Sequence, residues 1–284
     1  MSVVCALLAA LSNALNVTTQ HVASTSGAVG ARGWRLVRHL FADPLWLVGW
    51  VAQIAAFVFQ AIALHDGLLS AVQALLMTEL VFALVLRRLW LRQAISGGAW
   101  ASAVFTCGAV SIFIAASEPR GGNAAPTSGA WASSILVTAG IAGGLAIAAL
   151  RGSPARRAAL FATASAIVWA LEATFIKTMT DTLTRDGIGP MFLRWPIYAV
   201  AVAGALGVLL VQVALHVGPL RVSQPLLVIV DPLVSIVLSI HLFDERFTSD
   251  PLEVAIAAAA FVAMGVGVVL LTRTVPATME PDAS

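Results

Sequence analysis

Three acidic residues lie where acids are costly. Glu79, Glu172 and Asp231 sit roughly 11, 15 and 12 residues into long apolar runs, about half the depth of a membrane-crossing helix at 1.5 Å per residue. A charge at that depth costs at least about 2.5–3.5 kcal/mol, so such residues face a cavity or a partner. Two chemistries follow. In the first, protonation or cation binding neutralises the carboxylates and biases a conformational equilibrium. In the second, each acid is structural, bonded between helices or paired with Lys or Arg. Lys177 is five residues from Glu172, poor spacing for a pair on one helix.

Amides accompany the acids. Asn13, Asn16 and Gln20 share one face of the first helix, at offsets of three and seven residues, and Gln53 and Gln60 share a face of the second. They line a pathway or bond between helices. Gln224 precedes Pro225 and Asp231 precedes Pro232. Proline removes a backbone donor and crowds the preceding turn, so Pro225 and Pro232 predict a kink or break that exposes carbonyls. Gln73 is the counterpart of Gln224 but lacks the following proline. The expected substrate or ion pathway is Glu79, Asp231, Glu172, Asn16, Gln73, Gln224, Asn13 and Gln20. Whether a metal binds there stays open.

The elements that position these residues are transmembrane helices. The chain is 60% hydrophobic and 11% charged, against roughly 25% charged in soluble domains. Nine apolar runs reach the ~20 residues a spanning helix needs. They cover about 2–23, 44–64, 68–89, 95–116, 131–150, 157–179, 190–214, 219–242 and 252–272. The N-terminal run has no basic segment before it and reads as a retained first helix, not a signal peptide. Eleven of the 16 Lys and Arg fall on one side if the spans alternate, among them Arg32, Arg35, Arg38, Arg87, Arg88 and Arg151. The positive-inside rule then places the N-terminus outside and the C-terminus in the cytoplasm. Fifteen Arg against one Lys suggest a GC-rich bacterial source and hence a bacterial plasma membrane. Trp46, Trp50, Trp90, Trp131 and Trp195 lie near span ends and read as interface anchors. Gly140, Gly143, Gly144, Gly265 and Gly267 suggest close helix packing.

The chain repeats itself. QAIALHDGLLSAVQALL (Gln60 to Leu76) resembles VQVALHVGPLRVSQPLL (Val211 to Leu227), which pairs His65 with His216, Gly67 with Gly218 and Gln73 with Gln224. Glu79 pairs with Asp231 one residue out of register. NALNVTTQH (Asn13 to His21) matches WALEATFIK (Trp169 to Lys177), pairing Asn16 with Glu172 and His21 with Lys177. Mates lie five spans apart, so they run in opposite directions. The expected architecture is an all-α membrane bundle of two inverted four-helix repeats, residues 1–117 and 156–273. Residues 118–155 form a linker and connecting helix 5, and 274–284 a disordered tail. Inverted repeats are common in secondary transporters.

Other classes are disfavoured. There is no Ser–His–Asp set, no phosphate loop and no His or Cys cluster at metal spacing, so neither an enzyme nor a cofactor is expected. A net charge of +2 without a basic stripe argues against nucleic acid. Cys5 and Cys107 lie in apolar runs and read as small core residues.

The corner and helix ALHVGPLRVSQPLLVIVDPLVSIVLSIHLFDERF (Ala214 to Phe247) resembles the EamA-type pattern of the drug/metabolite transporter superfamily. GWVAQIAAFVFQAIALHDGLLSAVQALL (Gly49 to Leu76), with IFIAASEP at the end of the fourth span, is similar to NIPA-type magnesium transporters. The resemblance implies nine spans with an external N-terminus and alternating-access transport. Its departures are Ala56 for the NIPA-type Asn, Ala74 for the Pro after Gln73, and Gln93 as the mate of Glu245 in the ERF segment. The leading expectation is a secondary transporter of a small solute or metabolite, proton-coupled or an exchanger, with a bilayer around it and a homodimer as one assembly. A divalent-cation transporter is the second reading. A membrane scaffold or lipid-linked sugar translocation component of an envelope-synthesis complex is the third.

Overall fold

The computed structural model describes residues 1–27, 44–90, 92, 94–121, 125–218 and 220–274. Outside these residues lie most of the first connection with Arg32, Arg35 and Arg38, as well as Gln93 and the tail from 275. The side chains of Gln20, His21, Trp46 and Arg221 are likewise not described.

The described chain is helical throughout: α1 Ser2–Gly27, α2 Pro44–Asp66, α3 Leu69–Leu76, α4 Glu79–Leu89, α5 Gly97–Ser117 and α6 Ser128–Ala148. Then come α7 Pro154–Asp186, α8 Ile188–Leu193, α9 Trp195–Val217, α10 Leu220–Phe243 and α11 Pro251–Thr274. Nine segments among the described residues are long and apolar enough to cross a membrane, α3 and α4 counting as one and the short α8 not counting. The protein is a multi-pass membrane protein.

Local chemistry sets several helix starts. Ser96, Thr127 and Ser153 precede α5, α6 and α7, and each side-chain oxygen accepts the N–H three residues on. Such caps satisfy donors that the first turn leaves free. Pro154 opens α7, where its missing N–H costs nothing. At 33 residues α7 is about 50 Å long, so it extends past the hydrocarbon layer.

Successive helices run up and down between two faces. Ser2, the α2–α3 corner, the α5–α6 connection, the end of α7 and the α10–α11 connection meet at what we call the N-terminal face. There Gly67 lies against Ser2, His65 Nδ1 is 3.1 Å from Asp181 Oδ1, and Arg120 and Arg246 exchange backbone hydrogen bonds of 2.8 Å. The opposite, C-terminal face joins Gly218 to Pro154 and Ala158, and Arg157 Nε to the Ala149 carbonyl at 3.1 Å.

The largest packings are α1 on α2, α7 on α9, α5 on α11 and α7 on α10. Toward the N-terminal face one apolar cluster crosses the bundle, with Ala6, Leu64 and Leu69 meeting Phe175, Ile176 and Phe243. Toward the C-terminal face the clusters are separate. Leu84, Ala99 and Leu271 join α4, α5 and α11, whereas Phe161, Ala162 and Ala214 join α7 and α9. Correspondingly α3 packs on α10, while α4 packs on α1 and α5.

Two expectations about packing are corrected. Trp131 is 8% exposed, not an interface anchor, because its ring packs on Phe175 at 5.3 Å and edge-on to Trp195 at 5.0 Å. Gly265 approaches Ile229 and Gly267 approaches Thr106, as close packing requires. Gly140, Gly143 and Gly144, however, have no described neighbour that an added Cβ would meet within 4 Å, so that stripe of α6 does not pack within the bundle.

Candidate functional site

The third span breaks at the residue before its acid. Met77 and Thr78 donate to carbonyls three residues back, at 3.3 and 3.0 Å, and the Thr78 hydroxyl donates to the Leu75 carbonyl at 2.7 Å. A Thr hydroxyl competing for a helix carbonyl loosens the regular ladder, and a tight turn within a helix commonly marks a hinge. Glu79 is the first residue of α4 beyond that turn.

The prolines behave otherwise. α10 runs without interruption through both Pro225 and Pro232, so the break expected there is not found. Both prolines are buried. In a membrane bundle, neighbouring helices can absorb the unsatisfied carbonyl of an interior proline, which removes the need to break.

Glu79, Glu172 and Asp231 come together from α4, α7 and α10. Asp231 lies within electrostatic reach of both Glu79 and Glu172. Asn13 of α1 makes a side-chain hydrogen bond to Glu79. The Ser235 hydroxyl, one turn beyond Asp231, donates to its Oδ1 at 3.3 Å. All three carboxyls are half-buried, and among the described residues no salt bridge reaches any of them. Carboxylates gathered at membrane depth are costly as charges, and a proton or a cation relieves that cost.

Glu172 is seated by a missing side chain. A Cβ on Gly204 of α9 would lie 2.8 Å from Glu172 Oε1, and one on Gly207 would run into the Trp169 ring one turn away. The Ser165 hydroxyl donates to the Gly207 carbonyl at 2.8 Å in the same seam. On the other side of the bundle Asn16 Nδ2 donates to Gln53 Oε1, which ties α1 to α2.

Not every expected residue joins the cluster. Gln73 is buried in α3, six residues before Glu79, and Gln224 is half-buried on α10, seven residues before Asp231. Neither hydrogen-bonds a cluster member among the described residues. The Gln20 side chain lies outside the described residues. Lys177 does not pair with Glu172; its Nζ donates to the Leu64 and Gly67 carbonyls, at 2.8 and 2.9 Å. Glu245 also has a definite role that its sequence context did not disclose. It accepts from Leu69 N, Ser70 N and Ser70 Oγ at 2.5, 3.3 and 2.6 Å, capping α3. The sequence marks Glu245 as the acid of the ERF segment, but not the helix end that it caps.

Among the described residues no group of three His, Cys, Asp or Glu is gathered closely enough to hold a metal ion.

No family model matches the chain. An uncharacterized protein of Corynebacterium glutamicum is 25% identical over 277 residues, covering 96% of this chain and 95% of its own. No solved structure matches.

Proposed function

We propose that this chain is a secondary transporter that moves a small solute across a bacterial plasma membrane by alternating access, with protonation at the carboxylate cluster as the coupling event. The observation that carries this reading is the convergence of Glu79, Asp231 and Glu172 from three different helices at mid-span, with Asn13 on Glu79 and Ser235 on Asp231. A scaffold has no need of three acids gathered at membrane depth. A divalent-cation carrier would need the same oxygens drawn together as ligands.

Paired contacts support the inverted repeat. Gly67 meets Ser2 at the start of α1, and Gly218 meets Ala158 at the start of α7. The register that pairs Asn16 with Glu172 also pairs Ser2 with Ala158. Asn16 bonds Gln53, and Glu172 abuts Gly204, the mate of Gln53 in the register that pairs Gly67 with Gly218. Equivalent contacts thus recur at opposite faces, as expected of repeats 1–117 and 156–273 flanking a connecting helix in 118–155, and in keeping with the drug/metabolite transporter resemblance. The cross-bundle packing at the N-terminal face and the separate clusters at the other fit one state of the cycle, with access from the C-terminal face. Positive-inside counting makes that face cytoplasmic.

The test is transport in proteoliposomes. A panel of small organic solutes is presented under an imposed pH gradient, and solute and proton movement are both followed. Asp231→Asn and Glu79→Gln should each slow the transported solute by at least about tenfold, the factor equivalent to 1.36 kcal/mol, while incorporation into the membrane is unchanged. Normal transport by both variants would refute the cluster as the working site.

A further inference from the structure

The α2–α3 corner exposes two helix ends at one place. α2 stops at Asp66 and α3 starts at Leu69, so free carbonyls and free N–H groups lie side by side. Two charged side chains from the other half of the chain occupy them, each at the pole of opposite sign. Lys177 of α7 takes the carbonyls of Leu64 and Gly67, at 2.8 and 2.9 Å. Glu245, just past α10, takes the N–H groups of Leu69 and Ser70 and the Ser70 hydroxyl. A cation at a helix C-terminus and an anion at a helix N-terminus are the favourable arrangements. Lys177 is 2% exposed and Glu245 1%. They feel one another electrostatically, and the Lys177 ammonium lies 5.5 Å from the centre of the Phe243 ring. Asp181, one turn beyond Lys177, adds the contact to His65 at 3.1 Å.

We propose that Lys177 and Glu245 form a latch that holds the N-terminal face shut, and that its release is the step exposing the carboxylate cluster to that face. This rests on the alternating-access reading above. Every side-chain hydrogen bond of the latch described above goes to residues 64–70, and both latch residues lie in the second half, so the face cannot part along that seam while the bonds persist. The buried charges also make the latch two-state. Once water enters, each is solvated and the dry contact is lost in one step. By repeat register the sequence mates of Lys177 and Glu245 are His21 and Gln93, residue types that do not form a pair of fixed opposite charges. The molecule is therefore biased toward closure at the N-terminal face.

The experiment uses the full chain with Cys5→Ser and Cys107→Ala. A reporter, Gln73→Cys, sits in α3 between the latch and Glu79, and a second, Gln224→Cys, sits on the C-terminal side of Asp231. Both are labelled with a membrane-impermeant maleimide in right-side-out and inside-out vesicles. With the latch intact, Gln73→Cys should label slowly from the N-terminal face. Glu245→Gln or Lys177→Met should accelerate it at least about tenfold, as a tenfold shift in a two-state equilibrium requires. Ser70→Ala, which removes one hydroxyl partner and leaves both charges in place, should give a smaller acceleration. It carries the same test should loss of a charge prevent folding. Unchanged labelling of Gln73→Cys in a folded latch variant would overturn the latch. The second reporter tests the transport reading separately. Its labelling should fall as that of Gln73→Cys rises. If Gln73→Cys opens while Gln224→Cys does not respond, the latch stands as a local closure and alternating access fails.

Discussion

A glycine's neighbours decide what its replacement costs. At Gly67 an added Cβ would meet the Ala63 backbone oxygen at 2.6 Å and Ser2 Cβ at 2.8 Å, neither able to swing away. At Gly204 it would meet Glu172 Oε1 at 2.8 Å, the far end of a flexible side chain. Overpacking costs roughly 1–3 kcal/mol. Gly67→Ala should fall at the upper end and lower the Tm in detergent, while Gly204→Ala should fall at the lower end and leave the Tm nearly unchanged. Gly204→Ala should nonetheless slow transport, because it pushes the Glu172 carboxyl away from its seat. Equal Tm losses for the two variants would contradict this assignment. The acids themselves were legible, since an acid at mid-span is conspicuous in any apolar run. The seat of Glu172 was not, because a glycine reveals what it makes room for only once the facing helix is placed.

At the scale of the helix, the interruption comes at a threonine and not at a proline. Pro225 and Pro232 predict a kink or break in α10, and the helix runs through both without a break. The interruption lies between α3 and α4, in a stretch with neither glycine nor proline, where the Thr78 hydroxyl bonds back to Leu75. Hydrogen exchange tests this directly. The amides of 77–81 should exchange faster than those in the middle of α3 or α4, because a tightened turn opens locally at lower cost. Thr78→Val, which keeps the branched shape but removes the hydroxyl, should slow that exchange toward the level of its neighbours. Pro232→Ala adds a donor to a helix that is already continuous and should leave helix content by circular dichroism unchanged. A loss of helix would show that the proline shapes α10 after all.

At the scale of the molecule, orientation and access are the quantities at issue. Arg246 and Arg151 lie at opposite faces of the bundle, in the α10–α11 and α6–α7 connections. On the positive-inside reading, Arg246→Cys should react with an impermeant maleimide from outside intact cells, and Arg151→Cys only after the cytoplasmic side is opened. The reverse pattern would invert the proposed direction of access. The apolar surface of α6 and α9, with Leu136, Val137, Val202 and Leu209 exposed, suits contact with lipid. There, exposure to lipid replaces the burial that a soluble protein would need.

The sequence by itself determined the class, the nine spans and the depth of the acids. All three follow from the ~20-residue length of an apolar run and the cost of a charge within it. Only the tertiary structure decided which helices bring those acids together, and where the third span turns. It alone also decided that Lys177 and Glu245 cap helix ends 113 and 176 residues away in the chain. Hydrophobicity is a property of a segment and can be summed along it. A hydrogen bond between distant segments is a property of their packing, and the residue types alone do not specify which carbonyl a lysine will find.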